Sequence, residues 1–189
     1  MQRFALITVI SVLAACGPAP SMDNGEHSPA DLPVVPSDPC GPVTPVGYCG
    51  VEFGMTPEQA LTILPQTYSL LDDSEYDYPE SCNYDEITAS QEDWAADVMV
   101  ANLRISRIDI YGALQRTAEG AGVGSTKSEL FAMYPDAQTE SNFYTYPDEN
   151  VIVDLAEGRQ YLFELSQKNV VTNWRAGFAE QVAYVEGCS

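Results

Sequence analysis

Two segments of this chain, 70 positions apart, carry the same signals for the start and the end of a short helix. Residues 50–65, GVEFGMTPEQALTILP, align without gaps on residues 120–135, GAGVGSTKSELFAMYP. Each copy places a threonine three residues before a glutamine or a glutamate, which is the pattern of a capping box at a helix N-terminus. The pairs are Thr56 with Gln59 and Thr126 with Glu129. Each copy ends at a proline, Pro65 or Pro135, which stops a helix after about two turns. The shared pattern indicates an internal duplication.

Apolar residues recur within each predicted helix at the spacing of one buried face. They are Ala60, Leu61, Ile63 and Leu64 in the first copy, and Leu130, Phe131, Met133 and Tyr134 in the second. Strand-like segments with hairpin-type connections follow each helix. They cover residues 81–88, 97–101 and 104–111 after the first helix, and 151–156, 160–165 and 170–176 after the second. The sequence therefore predicts an α+β fold of two tandem α-β-β-β units with antiparallel sheets, over residues 40–116 and 117–189.

A Gly-Met-Thr run at the head of a short helix, with Gln three residues after the Thr, resembles a motif of two protein families. Its residues are Gly54, Met55, Thr56 and Gln59, and the second copy carries it partly in Gly124 and Thr126. One family is the small lipoprotein of the outer-membrane β-barrel assembly machinery. The other is the secreted β-lactamase-inhibitor proteins, which carry such a unit in tandem. The resemblance implies a helix followed by an antiparallel meander and a surface that binds a partner protein.

The N-terminus has the features of a bacterial lipoprotein signal. Residues 4–12 form an apolar stretch that is too short to span a bilayer but long enough for the central region of a signal peptide. The following Leu-Ala-Ala-Cys, residues 13–16, resembles a lipobox, in which the cysteine is acylated and the chain is cut before it. Several acyl chains on one residue give stable anchoring. We predict that residues 1–15 are a signal peptide and that Cys16 is lipidated, with a plain secretory signal as the alternative.

Residues 16–39 are predicted to be a lipidated, disordered tether. Six prolines and little apolar periodicity leave this stretch without the means to form a core. The chain's only histidine, His27, lies here, so His-dependent triads and most zinc sites are not expected in the folded part. Gly17 directly after Cys16 resembles the outer-membrane-directed class of lipoproteins. We therefore expect a location in the bacterial envelope, at the outer membrane and facing the periplasm.

Four cysteines lie beyond the lipobox, and an even count in an exported chain indicates disulfides. Of the three possible pairings, we favour Cys40 with Cys49 and Cys82 with Cys188. The first closes a small loop rich in glycine and proline, and the second ties the first predicted strand to the C-terminus. We expect residues 180–188 to return as a terminal strand beside that first strand.

The charge of the chain restricts its partners. It carries 28 acidic and eight basic residues, a formal net charge of −20, and residues 4–103 contain no lysine or arginine. Such a surface repels nucleic acid and anionic lipid head groups, so we expect no nucleic-acid partner and membrane contact only through the Cys16 anchor. It is compatible with a basic patch on a protein or with divalent cations, or it serves solubility alone.

No motif in the sequence selects catalytic residues, and we predict no enzymatic activity, no cofactor and no metal site. Residues 120–128, GAGVGSTKS, resemble a phosphate-binding loop, but a threonine stands where that loop needs the glycine before its lysine. Residues 73–84 begin with the alternating oxygens of a calcium loop. Tyr78 and Tyr84 then stand where the loop requires a glycine and a glutamate, which favours a solvated acidic loop.

These features predict a membrane-anchored envelope lipoprotein that acts as a non-enzymatic protein-binding or scaffolding module. The alternative, implied by the resemblance to tandem inhibitor proteins, is an inhibitor of an exported enzyme. That alternative requires aromatic side chains exposed on the open face of the sheet. The candidate partner-binding residues are Tyr144, Tyr146, Tyr161 and Trp174. For Trp174, which lies in an alternating strand, packing in the core is the competing interpretation.

Overall fold

The computed structural model describes residues 38, 40–64, 68–69, 82–88 and 94–188, all within the unit formed by residues 36–189. The predicted signal peptide, Cys16, nearly all of the predicted tether and residues 72–80, which include most of the predicted acidic loop, lie outside the described residues. The expectations for those segments therefore remain predictions. Within the described ranges, no helix is long and apolar enough to cross a lipid bilayer.

The described elements are mainly β-strands. The first part of the chain contains β1 (Gly47–Tyr48), β2 (Val51–Glu52), α1 (Pro57–Ile63), β3 (Tyr68–Ser69), β4 (Asn83–Thr88), β5 (Trp94–Ala101) and β6 (Arg104–Ile110). The second part contains α2 (Lys127–Met133), β7 (Gln138–Ser141), β8 (Glu149–Asp154), a 3₁₀ turn (Ala156–Gly158), β9 (Arg159–Leu165), β10 (Val171–Phe178) and α3 (Ala179–Val182). The strands β1 and β2 form a small separate hairpin, and the other eight form one antiparallel sheet in the order β3-β4-β5-β6-β10-β9-β8-β7.

The predicted α+β fold of two tandem α-β-β-β units is wrong. The protein is mainly β, and β6 pairs directly with β10, from Ile110 opposite Trp174 to Arg107 opposite Gly177, so one sheet runs without interruption. Four strands, not three, follow each of α1 and α2. The prediction missed β3 and β7 because these edge strands contain only two and four described residues. Such short segments show no clear alternation of apolar and polar residues.

Both predicted capping boxes are confirmed. Thr56 and Thr126 have identical backbone angles, φ −83° and ψ 157°, and each hydroxyl accepts a hydrogen bond of 3.3 Å from the N–H of Gln59 or Glu129. The side chains of Gln59 and Glu129 accept in return from the threonine N–H groups, at 2.9 and 2.7 Å. Each helix has seven residues, as expected for about two turns. The predicted buried face is wrong at one position, because Ile63 is 41% exposed.

The hydrophobic core lies between one face of the large sheet and the two capped helices. Ala60 of α1 and Leu130 of α2 are fully buried against apolar side chains of β5, β6, β8, β9 and β10. At the centre, Trp174 stacks on Phe163 with ring centroids 5.2 Å apart and meets Tyr161 edge-on at 5.7 Å. Offset and edge-to-face aromatic pairs stabilise a core beyond the area they bury. This face of the sheet is therefore closed to partners.

Both predicted disulfides are confirmed. The Cα atoms of Cys40 and Cys49 are 4.6 Å apart, and those of Cys82 and Cys188 are 5.0 Å apart, within the range that a disulfide spans. The C-terminal segment does return beside β4, but it does so as the single helical turn α3 followed by turns, and the predicted terminal strand is wrong. A run of good helix formers, Ala-Glu-Gln, starts this turn, and Val182 within it is fully buried.

Candidate functional site

Charged side chains line the face of the sheet that is opposite to the core. Because successive side chains of a strand alternate between faces, cross-strand partners share a face. Glu86, Asp97, Asp109 and Arg175 are such partners in β4, β5, β6 and β10. Three carboxylates and one guanidinium thus stand in one row across the middle of the sheet. We call this row the charged ladder.

Arg107 connects the charged ladder to the C-terminal segment. Its Nε donates to Oδ2 of Asp109 at 2.9 Å, and its Nη2 donates to the hydroxyl of Tyr84 at 2.8 Å. Its Nη1 donates to the carbonyl oxygens of Gln181 and Tyr184, both at 2.8 Å. The guanidinium is almost fully buried, and hydrogen bonds of a charged donor are stronger than neutral ones. Arg107 therefore holds residues 181–184 across the polar face.

Burial and neighbouring negative charges raise the pKa values of the aspartates in the charged ladder. Burial first, and then the charges of Asp109 and Glu86, raise the pKa of Asp97 to about 6. Burial also raises the pKa of Asp109, although the Arg107 guanidinium opposes that shift. Burial, followed by the neighbouring Arg107 charge, lowers the pKa of Arg175. A partly protonated Asp97 near neutral pH relieves repulsion between adjacent carboxylates.

A groove of about 890 Å³ opens on the same face, above β7, β8, β9 and β10. Ile152 and Leu162 form its apolar floor. One wall is the loop between β7 and β8, and the opposite wall is α3 with the residues after it. The charged side chains of its lining are Glu140, Glu164, Arg175 and Glu180. The volume lies in the range of pockets that hold drug-sized ligands. We call this feature the acidic groove.

The loop between β7 and β8 presents an exposed aromatic cluster beside the acidic groove. Asn142 organises the loop, because its Oδ1 accepts from the N–H groups of Tyr144 and Thr145 at 3.0 and 3.2 Å. Phe143 is 76% exposed, Tyr144 56% and Tyr146 81%. The rings of Phe143 and Tyr144 meet edge-on with centroids 5.0 Å apart. The internal hydrogen bonds of the loop hold large apolar surfaces in solvent, and we call the three side chains the aromatic rim.

A contact between the loop and the C-terminal segment joins the two walls of the groove. The hydroxyl of Tyr144 donates to Oε1 of Glu186, and this hydrogen bond raises the pKa of the tyrosine. The disulfide of Cys188 to Cys82 fixes the chain two residues further on. The shape of the groove thus depends on a segment that is secured at both ends, by Arg107 and by the disulfide.

Among the described residues that line the groove, Arg175 is the only cation, and it is already paired. Nη1 of Arg175 lies 3.1 Å from Oε1 of Glu164, and the arginine side chain is only 8% exposed. Glu140 accepts a hydrogen bond from Nδ2 of Asn150 at 3.3 Å, and Glu180 accepts from the hydroxyl of Tyr184 at 3.0 Å. Neither carboxylate forms an ion pair with another described residue, so these neutral donors leave both negative charges uncompensated. The groove therefore carries a net negative charge.

The four predicted partner-binding residues do not lie together. Tyr144 and Tyr146 belong to the aromatic rim, but Tyr161 and Trp174 are each 1% exposed in the core. Both residues lie on the face of the sheet that is turned toward the core. In the pairing of β9 with β10, Trp174 is opposite Phe163 and Tyr161 is opposite Ala176. Their assignment to a partner surface is corrected accordingly. Sequence reasoning also missed Phe143, although the run Phe-Tyr-Thr-Tyr between two strand-like segments is a signal that could have revealed it.

Among the described residues, no group of three or more histidine, cysteine, aspartate or glutamate side chains is arranged to hold a metal ion. The residues resembling a phosphate loop form the turn that enters α2, with Thr126 as its N-cap.

No protein-family model, no curated protein and no solved structure matches this chain. The function is therefore inferred from the geometry of the aromatic rim and the acidic groove.

Proposed function

We propose that this chain is a lipid-anchored protein of the bacterial envelope that binds another protein and performs no catalysis. The observation that supports the binding role most strongly is the aromatic rim. Phe143, Tyr144 and Tyr146 hold more than half of their surfaces in solvent on an internally bonded loop. Aromatic side chains of this kind are the residues that most often anchor protein interfaces. An adjoining groove offers the partner a concave surface.

The envelope location is supported by the N-terminal sequence and by the cysteines. The lipobox-like residues 13–16 and the proline-rich stretch after them suit an acylated anchor with a tether. Gly17 suits sorting to the outer membrane, with the folded part in the periplasm. Two disulfides in the folded part fit an oxidising compartment.

The burial of Tyr161 and Trp174 weighs against the alternative of an enzyme inhibitor. That alternative required four aromatic side chains on one open face, and half of them lie in the core. Binding to a partner needs no such face, because the aromatic rim lies in a single loop. We therefore propose the binding role and not the inhibitor role.

Site-specific photo-crosslinking in native envelopes tests the binding role. A photoreactive phenylalanine analogue in place of Tyr146 or Phe143 should crosslink to one discrete partner, because these side chains project from the rim. The matched control is the same analogue in place of Leu103, which is 56% exposed in the turn between β5 and β6. Equal products at Leu103 and at the rim, or no product at the rim, would contradict the proposal.

Fractionation tests the anchor separately. The unchanged chain should sediment with the outer membrane, and Cys16→Ser should move it to the soluble periplasmic fraction because acylation needs the thiol. The disulfides serve as the control for export, since they should form in both proteins. Membrane association that survives Cys16→Ser would remove the anchoring claim.

A further inference from the structure

We infer that the acidic groove binds an extended basic segment of the partner, with a lysine or arginine side chain lying along its floor. This inference rests on the proposed binding role and specifies the chemistry of the partner. The evidence for it is that one groove combines an apolar floor, an aromatic wall and carboxylates that form no ion pair with a described residue.

The floor and the wall suit the long stem of a basic side chain. Leu162 is almost fully buried beneath the groove, and Ile152 beside it is half-buried. Lysine and arginine bury their methylene groups on such apolar surface while the charged end stays polar. Phe143 and Tyr144 line the same groove, and aromatic rings attract a nearby cation. A neutral apolar side chain would use the floor alone.

The charges of the groove select a cation over an anion. Glu164 is paired with Arg175, whereas among the described residues neither Glu140 nor Glu180 forms an ion pair within 4.0 Å. An acidic ligand would meet both carboxylates, and only the buried, already paired Arg175 could oppose them. The net charge of −20 for the whole chain adds long-range attraction for a basic segment. The same charge disfavours a second copy of this chain as the occupant.

The size of the groove favours a peptide segment over a single ion or a small amine. About 890 Å³ lies near the upper end of the usual range for small-molecule pockets. Glu140 belongs to the edge strand β7 and Glu180 to the wall helix α3, so the two carboxylates come from two different elements that border the groove. An extended segment with basic residues at positions i and i+2 presents both on the same face, so that their charged ends could meet the two carboxylates while their stems lie on the floor.

The probe for this inference is a fluorescent peptide, acetyl-Leu-Lys-Leu-Lys-Leu-amide, titrated with the full chain in detergent and followed by fluorescence anisotropy. A second peptide carries acetylated lysines, which keep the stems and remove the charges. We expect the lysine peptide to bind about tenfold more tightly at low salt and to lose most of this advantage at about 0.5 M salt. A third peptide, with glutamates in place of the lysines, should not bind measurably.

The decisive variant is Glu140→Gln combined with Glu180→Gln, because glutamine keeps the hydrogen-bond acceptors and removes both charges. It should weaken the lysine peptide five- to tenfold and leave the acetylated peptide unchanged. Glu52→Gln combined with Asp136→Asn is the matched control, because it removes two charges from exposed residues that do not line the groove. Glu164 is left intact, since its loss would leave Arg175 buried without an ion-pair partner. Circular dichroism verifies that each variant is folded.

Equal binding of the lysine and acetylated peptides, a preference for the glutamate peptide, or an unchanged affinity in the double variant would each overturn the inference. The two proposals fail in different ways. If crosslinks from position 146 persist unchanged in the double variant and at high salt, the basic-segment inference fails while the binding role stands. If the aromatic rim gives no crosslink at all, the binding role is contradicted, whatever affinities are measured for the three peptides.

Discussion

The two disulfides should contribute unequally to stability, and the structure sets the size of the difference. Cys82 and Cys188 are separated by 106 positions in the sequence, and Cys40 and Cys49 by nine. In the chain-entropy model, closing the longer loop stabilises the folded state by about 5 kcal/mol and the shorter one by about 2.5 kcal/mol. Replacing both cysteines of the long loop by serine should therefore cost about 2 kcal/mol more than the same change in the short loop.

Urea unfolding of the two double variants measures this difference, with circular dichroism as the signal and the disulfide-intact protein as reference. Each variant exchanges two cysteines for two serines, so the chemical effect of the exchange largely cancels between them. The long-loop variant should also bind the lysine peptide more weakly, because Cys188 secures the C-terminal wall of the acidic groove. Equal losses of stability, or a larger loss in the short-loop variant, would refute the assignment of the effect to loop length.

Four further substitutions have expected outcomes that urea unfolding can check. Between about pH 4 and 6 the folded protein retains the proton of Asp97 that the unfolded chain loses, so the contribution of Asp97 to stability should fall as the pH rises through this window. Asp97→Asn should flatten that dependence and stabilise the protein at about pH 8 by about 1 kcal/mol, after allowance for partial solvent screening; an unchanged pH profile would contradict this. Trp174→Ala should cost about 3–5 kcal/mol because it removes a fully buried ring from the aromatic core, and a loss below about 1 kcal/mol would contradict that packing. Thr56→Ala and Thr126→Ala should cost about 1 kcal/mol each and nearly the same amount, since both threonines have the same backbone angles and accept the same 3.3 Å hydrogen bond; clearly unequal losses would argue against equivalent caps.

Local chemistry made the helices and the disulfides predictable from the sequence. A capping box involves four consecutive residues, so the pairs Thr56–Gln59 and Thr126–Glu129 place both helix starts without any knowledge of the rest of the fold. The cysteine pairing was favoured among three possibilities because export was predicted, the count is even and a short loop suits Cys40 with Cys49. The longer strands were visible because their alternating residues reflect a half-buried sheet, as in Arg159–Leu165.

The sequence could not show how the strands of the two halves would join or which face would be covered. Alternation reveals that Trp174 and Ala176 share a face, but only the packing of α1 and α2 decides that this face is the core. The prediction that Tyr161 and Trp174 bind a partner failed for this reason. The same limit explains the missed pairing of β6 with β10, because strand pairing at long sequence separation leaves no local signal.

By itself, the sequence determined the two capped helices, the longer strands and the excess of negative charge, because each depends on neighbouring residues or on composition. For the cysteines it favoured one of three possible pairings, and the structure confirms that pairing. Only the tertiary structure determined which residues come together to form the acidic groove. Glu140, Glu164, Arg175 and Glu180 come from four different elements, and the register of β7 to β10 sets the first three on one face. Arg107 and the Cys82–Cys188 disulfide bring the C-terminal wall opposite the aromatic rim. Contacts between residues so distant in the chain depend on the pairing of whole strands, and no single segment encodes them.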